Sequence, residues 1–218
     1  MNIYDKKRIM VATDLHYLSK RINDRGEAFA RTMSKGDGKV MFYIEEIVDT
    51  FFNEVKKRKP DMLILPGDLT FNGERKSHED LADKLKDMIN TGIQVYVIPG
   101  NRDINCNNSA GFLGEDIYNV ESVSADEFRE IYSFCGYKNF RHFDKFSGSY
   151  TVSVGTDLYL LMLDTNSYKM NSMGEKSLIW LDNVLNEICK EGKRVLAVSH
   201  QTILEHNYMF TSGFVIKN

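Results

Sequence analysis

Four apolar runs in the sequence have the length of buried strands, and polar side chains follow each run directly. Amphipathic helical patterns separate the first three runs, so the order is strand, helix, strand, helix, strand. That order predicts parallel strands joined by right-handed crossovers. The polar residues that follow the four runs are Asp14 and His16, then Asp68, then Asn101, Arg102 and Asp103, and finally His200.

Helix start signals place three helices in the first two thirds of the chain. A stripe of apolar residues predicts a helix of about 19 residues from near Val40. Ser77 with Asp80 three positions later predicts a capped start for the second helix, and Ser124 with Glu127 predicts one for the third.

A hairpin and a further helix are predicted in the last third of the chain. Two β-rich runs, Tyr150–Val154 and Leu158–Leu163, flank a short turn, which is the pattern of a hairpin. Before the last apolar run, helical spacing predicts an inner helix face made of Leu178, Leu181, Leu185 and Ile188.

The side chains at the four strand exits are suited to metal binding. The carboxyl ends of parallel strands form the usual binding crevice of an open sheet, so these residues should gather in space. Oxygen and imidazole ligands suit Mn, Fe, Zn or Mg-like divalent ions. Each short motif alone is more often an ordinary turn, and only their joint occurrence at four strand exits indicates a metal site.

The same motifs resemble the signature of the calcineurin-like metallophosphoesterases. The chain reads DLH at 14–16, GD at 67–68, GNRD at 100–103 and SHQ at 199–201. In the family, these correspond to D-x-H, G-D, G-N-H-[DE] and a His at the end of a strand. Flanking sequence segments such as DLHYLS, SHEDLADKL and LLMLDTNSY resemble those of a bacterial branch with cyclic-nucleotide phosphodiesterase-like members. The resemblance covers nearly all of the chain.

The resemblance implies an α/β fold, a four-layer α/β-β/α sandwich, with a centre of two divalent metal ions. Asp14 and His16 would hold one ion, Asp68 would bridge both, and Asn101 and His200 would hold the second. The implied activity is hydrolysis of phosphate esters by a metal-activated hydroxide. The expected substrate is a small phosphate ester, and phosphodiesters such as cyclic nucleotides are favoured.

Arg102 departs from the family pattern, which has His at this position. The resemblance implies that the family His assists the leaving group and that the acidic residue after it, here Asp103, supports it. Arg102 and Asp103 are therefore the candidate catalytic residues. Arginine stays charged and is a poor proton donor, although its guanidinium can bind phosphate oxygens. The alternative is that Arg102 only pairs with Asp103 in a surface turn.

A second departure is that no G-H-x-H motif follows His200. His206 stands in the different context LEHN. We expect a single metallophosphoesterase domain over residues 1–218 that is cut short at its C-terminal end, with an incomplete second sheet. Such a domain would retain fewer metal ions, have reduced activity and expose a sheet edge that favours a homo-oligomer. The alternative function is a degenerate, non-catalytic fragment that binds phosphate or a partner.

Composition excludes several other classes of protein. The chain has 28 Lys and Arg against 31 Asp and Glu, and we see no basic stripe, so nucleic acid is not an expected partner. The longest apolar run has only six residues, too few for a membrane span. No signal peptide is visible, and an odd number of cysteines suggests reduced thiols, so we expect a cytoplasmic protein.

The remaining candidate residues have mainly structural interpretations. Asn72 and Glu74 could order the loop after Asp68 or could be ordinary turn residues. Tyr17 and Asn166 could line the pocket, although core and turn roles are favoured. We expect His78 to be solvated, and we expect three cysteines to be buried small hydrophobic residues, namely Cys106, Cys135 and Cys189.

Overall fold

Three parallel strands form the first sheet, as the alternation of apolar runs and helices predicts. The computed structural model describes residues 6–35, 40–169, 171–203 and 216. The strands lie in the order β1, β2, β3 and are all parallel. They are β1 (Ile9–Val11), β2 (Met62–Pro66) and β3 (Gln94–Ile98). The crossovers carry α1 (Glu27–Met33), α2 (Ile44–Arg58) and α3 (Arg75–Asn90).

The second sheet contains the predicted hairpin and also the last apolar run. Its strands are β6 (His142–Phe143), β7 (Tyr150–Val154), β8 (Leu158–Leu163) and β9 (Arg194–Ser199). Strands β6 to β8 are antiparallel, while β8 and β9 are parallel because α5 (Glu175–Lys190) crosses between them. The four exit strands therefore do not share one sheet, since His200 comes from the second.

A smaller hairpin and a short helix connect the two sheets. The hairpin consists of β4 (Ala110–Leu113) and β5 (Asp116–Asn119), which form a separate two-stranded sheet. Helix α4 (Ala125–Ile131) follows, and the predicted capping box of Ser124 and Glu127 is present. The turn after α4 ends at Tyr137 and contains Gly136, whose φ of 107° allows the chain to reverse there.

The two sheets pack face to face between helices, which confirms the predicted four-layer sandwich. Apolar side chains of β2, β3, β7 and β8 share one core, and those of α2 and α3 join it from outside the first sheet. The Tyr150 hydroxyl donates to the Val97 carbonyl oxygen at 2.9 Å and so links the sheets. On the outer side of the second sheet, Val184 and Ile188 of α5 pack against Tyr159.

Two helix starts differ from the predictions. Helix α2 has 15 residues and is preceded by a 3₁₀ turn over Met41–Tyr43. Ile47, one of the apolar residues whose spacing predicts this helix, is 47% exposed. The prediction that Ser77 caps α3 is wrong because α3 already begins at Arg75. Ser77 lies inside the helix, where its Oγ accepts a hydrogen bond from the backbone N–H of Ser19 at 3.1 Å.

The predicted inner face of α5 is also partly wrong. Ile188 is buried, but Leu178 is 41% exposed and Leu185 is 39% exposed. Two apolar stripes overlap on this helix, and the sheet selects the one through Val184 because that stripe faces Tyr159. Spacing alone does not distinguish two stripes that share a member.

Other structural predictions have mixed outcomes. Only Cys135 is fully buried; Cys106 is half-buried and Cys189 is exposed, so the expectation for the cysteines is wrong for these two. Within the described ranges, β9 is an edge of the second sheet, whereas His206 lies outside those ranges. In the described part of the chain, no helix has both the length and the apolar content needed to cross a membrane. The incomplete sheet and the homo-oligomer stay predictions.

Candidate metal centre

Three predicted ligands from the ends of β1 and β2 form a tight cluster. One ligand atom from each of Asp14, His16 and Asp68 lies within 4.8 Å of the others. The Nε2 atom of His16 is 3.5 Å from Asp14 Oδ1 and 3.9 Å from Asp68 Oδ2. Bonds of about 2.1 Å in a tetrahedral site place neighbouring ligand atoms roughly 3.4 Å apart, so this spacing could hold a divalent ion.

Asp68 also faces a second group of donors through its other carboxylate oxygen. His200 Nε2 is 3.4 Å from Asp68 Oδ1 and 3.2 Å from Asn101 Oδ1. The structure thus brings together all five residues predicted as metal ligands. Because the two oxygens of Asp68 face different donor groups, its carboxylate has the position required of a bridge between two ions.

Hydrogen bonds orient the donors of this second group. The carbonyl oxygen of Pro66 lies 2.8 Å from His200 Nδ1, so Nδ1 carries the proton and Nε2 presents a lone pair. The side-chain amide oxygen of Gln201 accepts hydrogen bonds from Thr165 and Asn166. The Gln201 amide nitrogen, Nε2, donates to Asn101 Oδ1 at 3.3 Å. These bonds fix the orientation of both amides.

As a consequence, three acceptor atoms converge, although Asn101 Oδ1 also accepts from Gln201 and Asp68 Oδ1 also accepts from the backbone N–H of Arg102 at 2.9 Å. His200 Nε2, Asn101 Oδ1 and Asp68 Oδ1 all direct lone pairs into the same small region. A cation at that place would satisfy all three atoms. In the described part of the chain, His16 Nδ1 is buried without a hydrogen-bond partner, so His16 meets the cluster only through Nε2. The donor set fits divalent metal ions.

The backbone that carries the first group is strained. Asp14, His16 and Asp68 have positive φ values of 58°, 48° and 49°. Such conformations are uncommon for residues other than Gly and cluster at functional sites. Gly100 lies against the same loop, where a Cβ atom would be 2.2 Å from Asp68 N. Any other residue at Gly100 would therefore displace Asp68.

The electrostatics of the cluster favour an added positive charge. Burial and the nearby Asp103 carboxylate raise the pKa of Asp68, which marks its negative charge as costly in this site. Burial acts in the same direction on Asp14, but hydrogen bonds with His16 and Thr13 outweigh it and lower the pKa of Asp14. Both carboxylates would be stabilised by a divalent cation between them.

Arg102 and Asp103 do not pair with each other in a surface turn. An Arg102 guanidinium N–H donates to Asn72 Oδ1 at 3.0 Å, and its Nε lies 3.8 Å from Asp68 Oδ2. The guanidinium therefore lies at the rim of the cluster. Asp103 is fully buried and accepts from backbone N–H groups, which separates its carboxylate from any substrate.

The remaining candidate residues have mixed outcomes. The prediction that His78 is solvated is wrong, because the ring is fully buried. Asn72 orders Arg102 through a hydrogen bond. Glu74 is buried, and its carboxylate oxygens have no hydrogen-bond partner in the described ranges. Burial raises the pKa of Glu74 to about 7. Tyr17 is a core residue. Asn166 reaches the site, since it donates to Gln201.

Gln201 is the main contributor that the sequence interpretation missed. The only sequence signal was its place directly after His200 at a strand exit. Its role depends on Thr165 and Asn166, which are distant in sequence, and no local pattern reports such contacts.

A comparison with family models decides which family this is. The model described as calcineurin-like phosphoesterase matches residues 7–216. The chain belongs to the calcineurin-like phosphoesterase family. Membership supports phosphoester hydrolysis and divalent metal binding, in agreement with the donor set described above.

Individual relatives agree with this family. A probable cyclic nucleotide phosphodiesterase of Synechococcus sp. is 34% identical over a segment that covers 32% of this chain and 28% of the relative. The match thus spans less than a third of that protein. The crystal structure of a dimetal phosphatase from Danio rerio has a TM-score of 0.57 and 12% identity, covering 91% of this chain and 70% of that one. At that identity, the likeness shows the fold.

Proposed function

We propose that this chain hydrolyses phosphate esters with two divalent metal ions, and that phosphodiesters such as cyclic nucleotides are its substrates. Asp14 and His16 would hold one ion, Asn101 and His200 the other, and Asp68 both. The observation that carries the proposal is the position of Asp68, whose Oδ2 lies 3.9 Å from His16 Nε2 while its Oδ1 lies 3.4 Å from His200 Nε2.

The metal ions, when bound, would lower the pKa of a water molecule at the site and neutralise charge on the phosphoryl oxygens. The chain's own residues then determine how the substrate is held. Arg102 is 37% exposed in its side chain and is oriented by Asn72, so its remaining N–H groups can bind phosphoryl oxygens. A guanidinium contributes charge and orientation here without losing a proton.

The leaving group receives little help from this arrangement. Arg102 stays protonated, and the Asp103 carboxylate is committed to four hydrogen bonds inside the protein. We therefore propose reduced activity on esters whose leaving alcohol needs a proton, and better activity on esters with acidic leaving groups. A phosphodiester fits Arg102 because it retains two free phosphoryl oxygens.

The test is hydrolysis of bis-nitrophenyl phosphate and of a cyclic nucleotide, measured with added Mn²⁺ and again after chelation. We expect metal-dependent turnover of both compounds, with faster release of nitrophenol. Turnover that persists fully after chelation, with no bound metal by elemental analysis, contradicts a metal-dependent reaction. Nitrophenyl phosphate, a monoester, is assayed beside them, and turnover of this monoester without turnover of either diester contradicts the assignment of phosphodiesters.

Arg102 also favours a second candidate function, a non-catalytic domain that binds phosphate or a phosphorylated partner. The same guanidinium that binds phosphate does not replace the family His as an acid. This alternative predicts that the chain binds Mn²⁺ and inorganic phosphate in calorimetry but turns over neither substrate. Measurable metal-dependent turnover would exclude it.

A further inference from the structure

His78 lies behind the metal centre, in a buried position that the hydrolytic chemistry does not use. The side chain belongs to the first turn of α3 and is fully buried. Its Nε2 is 2.8 Å from the carbonyl oxygen of Asp103 and 3.2 Å from Thr70 Oγ1, and its Nδ1 is 3.0 Å from the Tyr132 hydroxyl. Both ring nitrogens therefore have partners.

These contacts define the protonation of the ring. A carbonyl oxygen only accepts, so the 2.8 Å contact with Asp103 places the proton on Nε2. Burial lowers the pKa of His78, which keeps the ring neutral and leaves Nδ1 as an acceptor for Tyr132. The ring is thus a directional link from Tyr132, beyond α4, to the main chain at Asp103.

Asp103 in turn joins the two loops that carry Asp68 and Asn101. Its Oδ1 accepts from Thr70 N at 2.9 Å and from Thr70 Oγ1 at 3.0 Å. Its Oδ2 accepts from Leu69 N at 3.1 Å and from Gly100 N at 2.8 Å. Leu69 follows Asp68 directly, and Gly100 precedes Asn101, so one carboxylate sets the spacing of two proposed ligands.

We propose that His78 is a positioning residue that holds Asp103 in place, and that this keeps the loops of Asp68 and Asn101 in register for metal binding. The effect on the loops depends only on the hydrogen bonds described above. The effect on metal affinity rests on the proposed function. Mutation of groups that orient metal ligands commonly lowers metal affinity by about 10- to 100-fold.

Three substitutions separate the two ring nitrogens. In His78→Gln the amide nitrogen reaches the place of Nε2 and can still donate to the Asp103 carbonyl. In His78→Asn the shorter amide reaches only the place of Nδ1, and His78→Leu removes both contacts. His142→Asn is the matched control, because His142 also has hydrogen bonds at both nitrogens, to Thr151 and Glu187, but lies on β6.

The first readout is amide hydrogen exchange in the metal-free protein. We expect His78→Asn and His78→Leu to speed amide exchange about tenfold at Leu69, Thr70 and Gly100. The reason is that the Asp103 carboxylate, which accepts hydrogen bonds from these three amides, becomes mobile. His78→Gln should stay within about threefold of the wild type. Equal exchange in the Asn and Gln variants, or the same increase in His142→Asn, would overturn the proposal.

The second readout is Mn²⁺ affinity by calorimetry, with kcat and KM as a further comparison. We expect His78→Asn to weaken Mn²⁺ binding about tenfold and His78→Gln to restore most of it. If the wild type binds no Mn²⁺, the proposed function fails, while the exchange pattern still decides whether His78 holds the loops. If it binds Mn²⁺ and all His78 variants match it, the role in metal binding is refuted.

A measurement on the wild type guards against variants that do not fold. The ¹⁵N chemical shifts of the His78 ring should report a neutral imidazole protonated at Nε2 across neutral pH. A ring protonated at Nδ1 alone would overturn the proposal, because its Nε2 could not donate to the Asp103 carbonyl.

Discussion

The two halves of the candidate metal centre are held in different ways. The first half, Asp14 and His16, comes from one loop after β1, and the Asp14 side chain is 50% exposed. The second half, Asn101 and His200, joins both sheets through Gln201 and the carbonyl of Pro66. Asp68 belongs to both halves.

The difference lies in what orients each ligand before any metal binds. In the second half, hydrogen bonds fix the imidazole tautomer and the amide orientation, so its donors need little rearrangement. In the first half, Thr13 donates to Asp14, but His16 Nδ1 has no hydrogen-bond partner in the described ranges, and both residues have strained backbone with φ of 58° and 48°. We infer that the second half is the more preorganised and should bind its ion more tightly.

Asp68→Asn should have the largest effect, because Asp68 is the residue that the two halves share. Loss of the bridging charge should lower turnover of bis-nitrophenyl phosphate by about 10³-fold or more, equal to roughly 4 kcal/mol of lost transition-state stabilisation. Elemental analysis should show fewer bound ions. Asp83→Asn on the exposed side of α3 is the control and should change neither value.

Arg102→His should test the chemistry near the first half, since Arg102 Nε lies 3.8 Å from the Asp68 oxygen that faces His16. A histidine can donate a proton, so we expect turnover of esters with poor alcohol leaving groups to rise by up to about 10²-fold. Nitrophenyl esters should gain much less. An equal change in both classes of ester would show that Arg102 does not limit leaving-group protonation.

Asp164 should make the support of the second half sensitive to pH. The Asp164 carboxylate accepts a hydrogen bond from the backbone N–H of Asn166. Burial raises the pKa of Asp164 to about 6 from an ordinary value of 3.8. The folded state then binds more protons than the unfolded state between these values, so stability falls as pH rises through this window. The loss of folding stability caused by ionising Asp164 is fully present above about pH 6 and absent below the pKa of Asp164 in the unfolded state.

The measurement is urea unfolding of the wild type and Asp164→Asn at about pH 4 and about pH 7. The free energy of unfolding of the wild type, relative to the variant, should fall by about 2 kcal/mol between them. The variant serves as its own reference for all other titrating groups. A constant difference would show that Asp164 titrates as an ordinary carboxyl group.

Gln201→Leu should have the smallest effect and should act on one half only. Loss of the hydrogen bond to Asn101 should weaken one Mn²⁺ site about tenfold and leave the other nearly unchanged. Two-site calorimetry measures both affinities, and Gln94→Leu, at an exposed position in β3, is the control. Equal weakening of both sites would contradict the distinction between the halves.

The strand exits were predictable because short apolar runs define where strands end. Asp14, Asp68, Asn101 and His200 needed only that rule and the residue types that bind metals. The sheet that carries His200 was not predictable from the runs, because the length of a run does not say which strand is its neighbour. The resemblance to a sandwich fold supplied what periodicity lacked.

Helix starts, and the choice between two apolar stripes on α5, were the main sources of error. His78 is expected in solvent because it lies at the predicted start of α3, but α3 begins at Arg75 and His78 belongs to its buried face. His78 lies three residues before Leu81 and seven before Leu85, which is the spacing of one helix face, and both leucines are buried. The contacts of Gln201 were beyond prediction for another reason, because they join loops far apart in the sequence.

The origin of His200 in the second sheet has a thermodynamic consequence. A metal ion held between Asn101 and His200 would tie one sheet to the other, and separation of the sheets would require its release. By mass action, an ion at 100 times its dissociation constant stabilises the joined state by about 2.7 kcal/mol. The concentration of available metal would then set part of the free energy that holds the two sheets together.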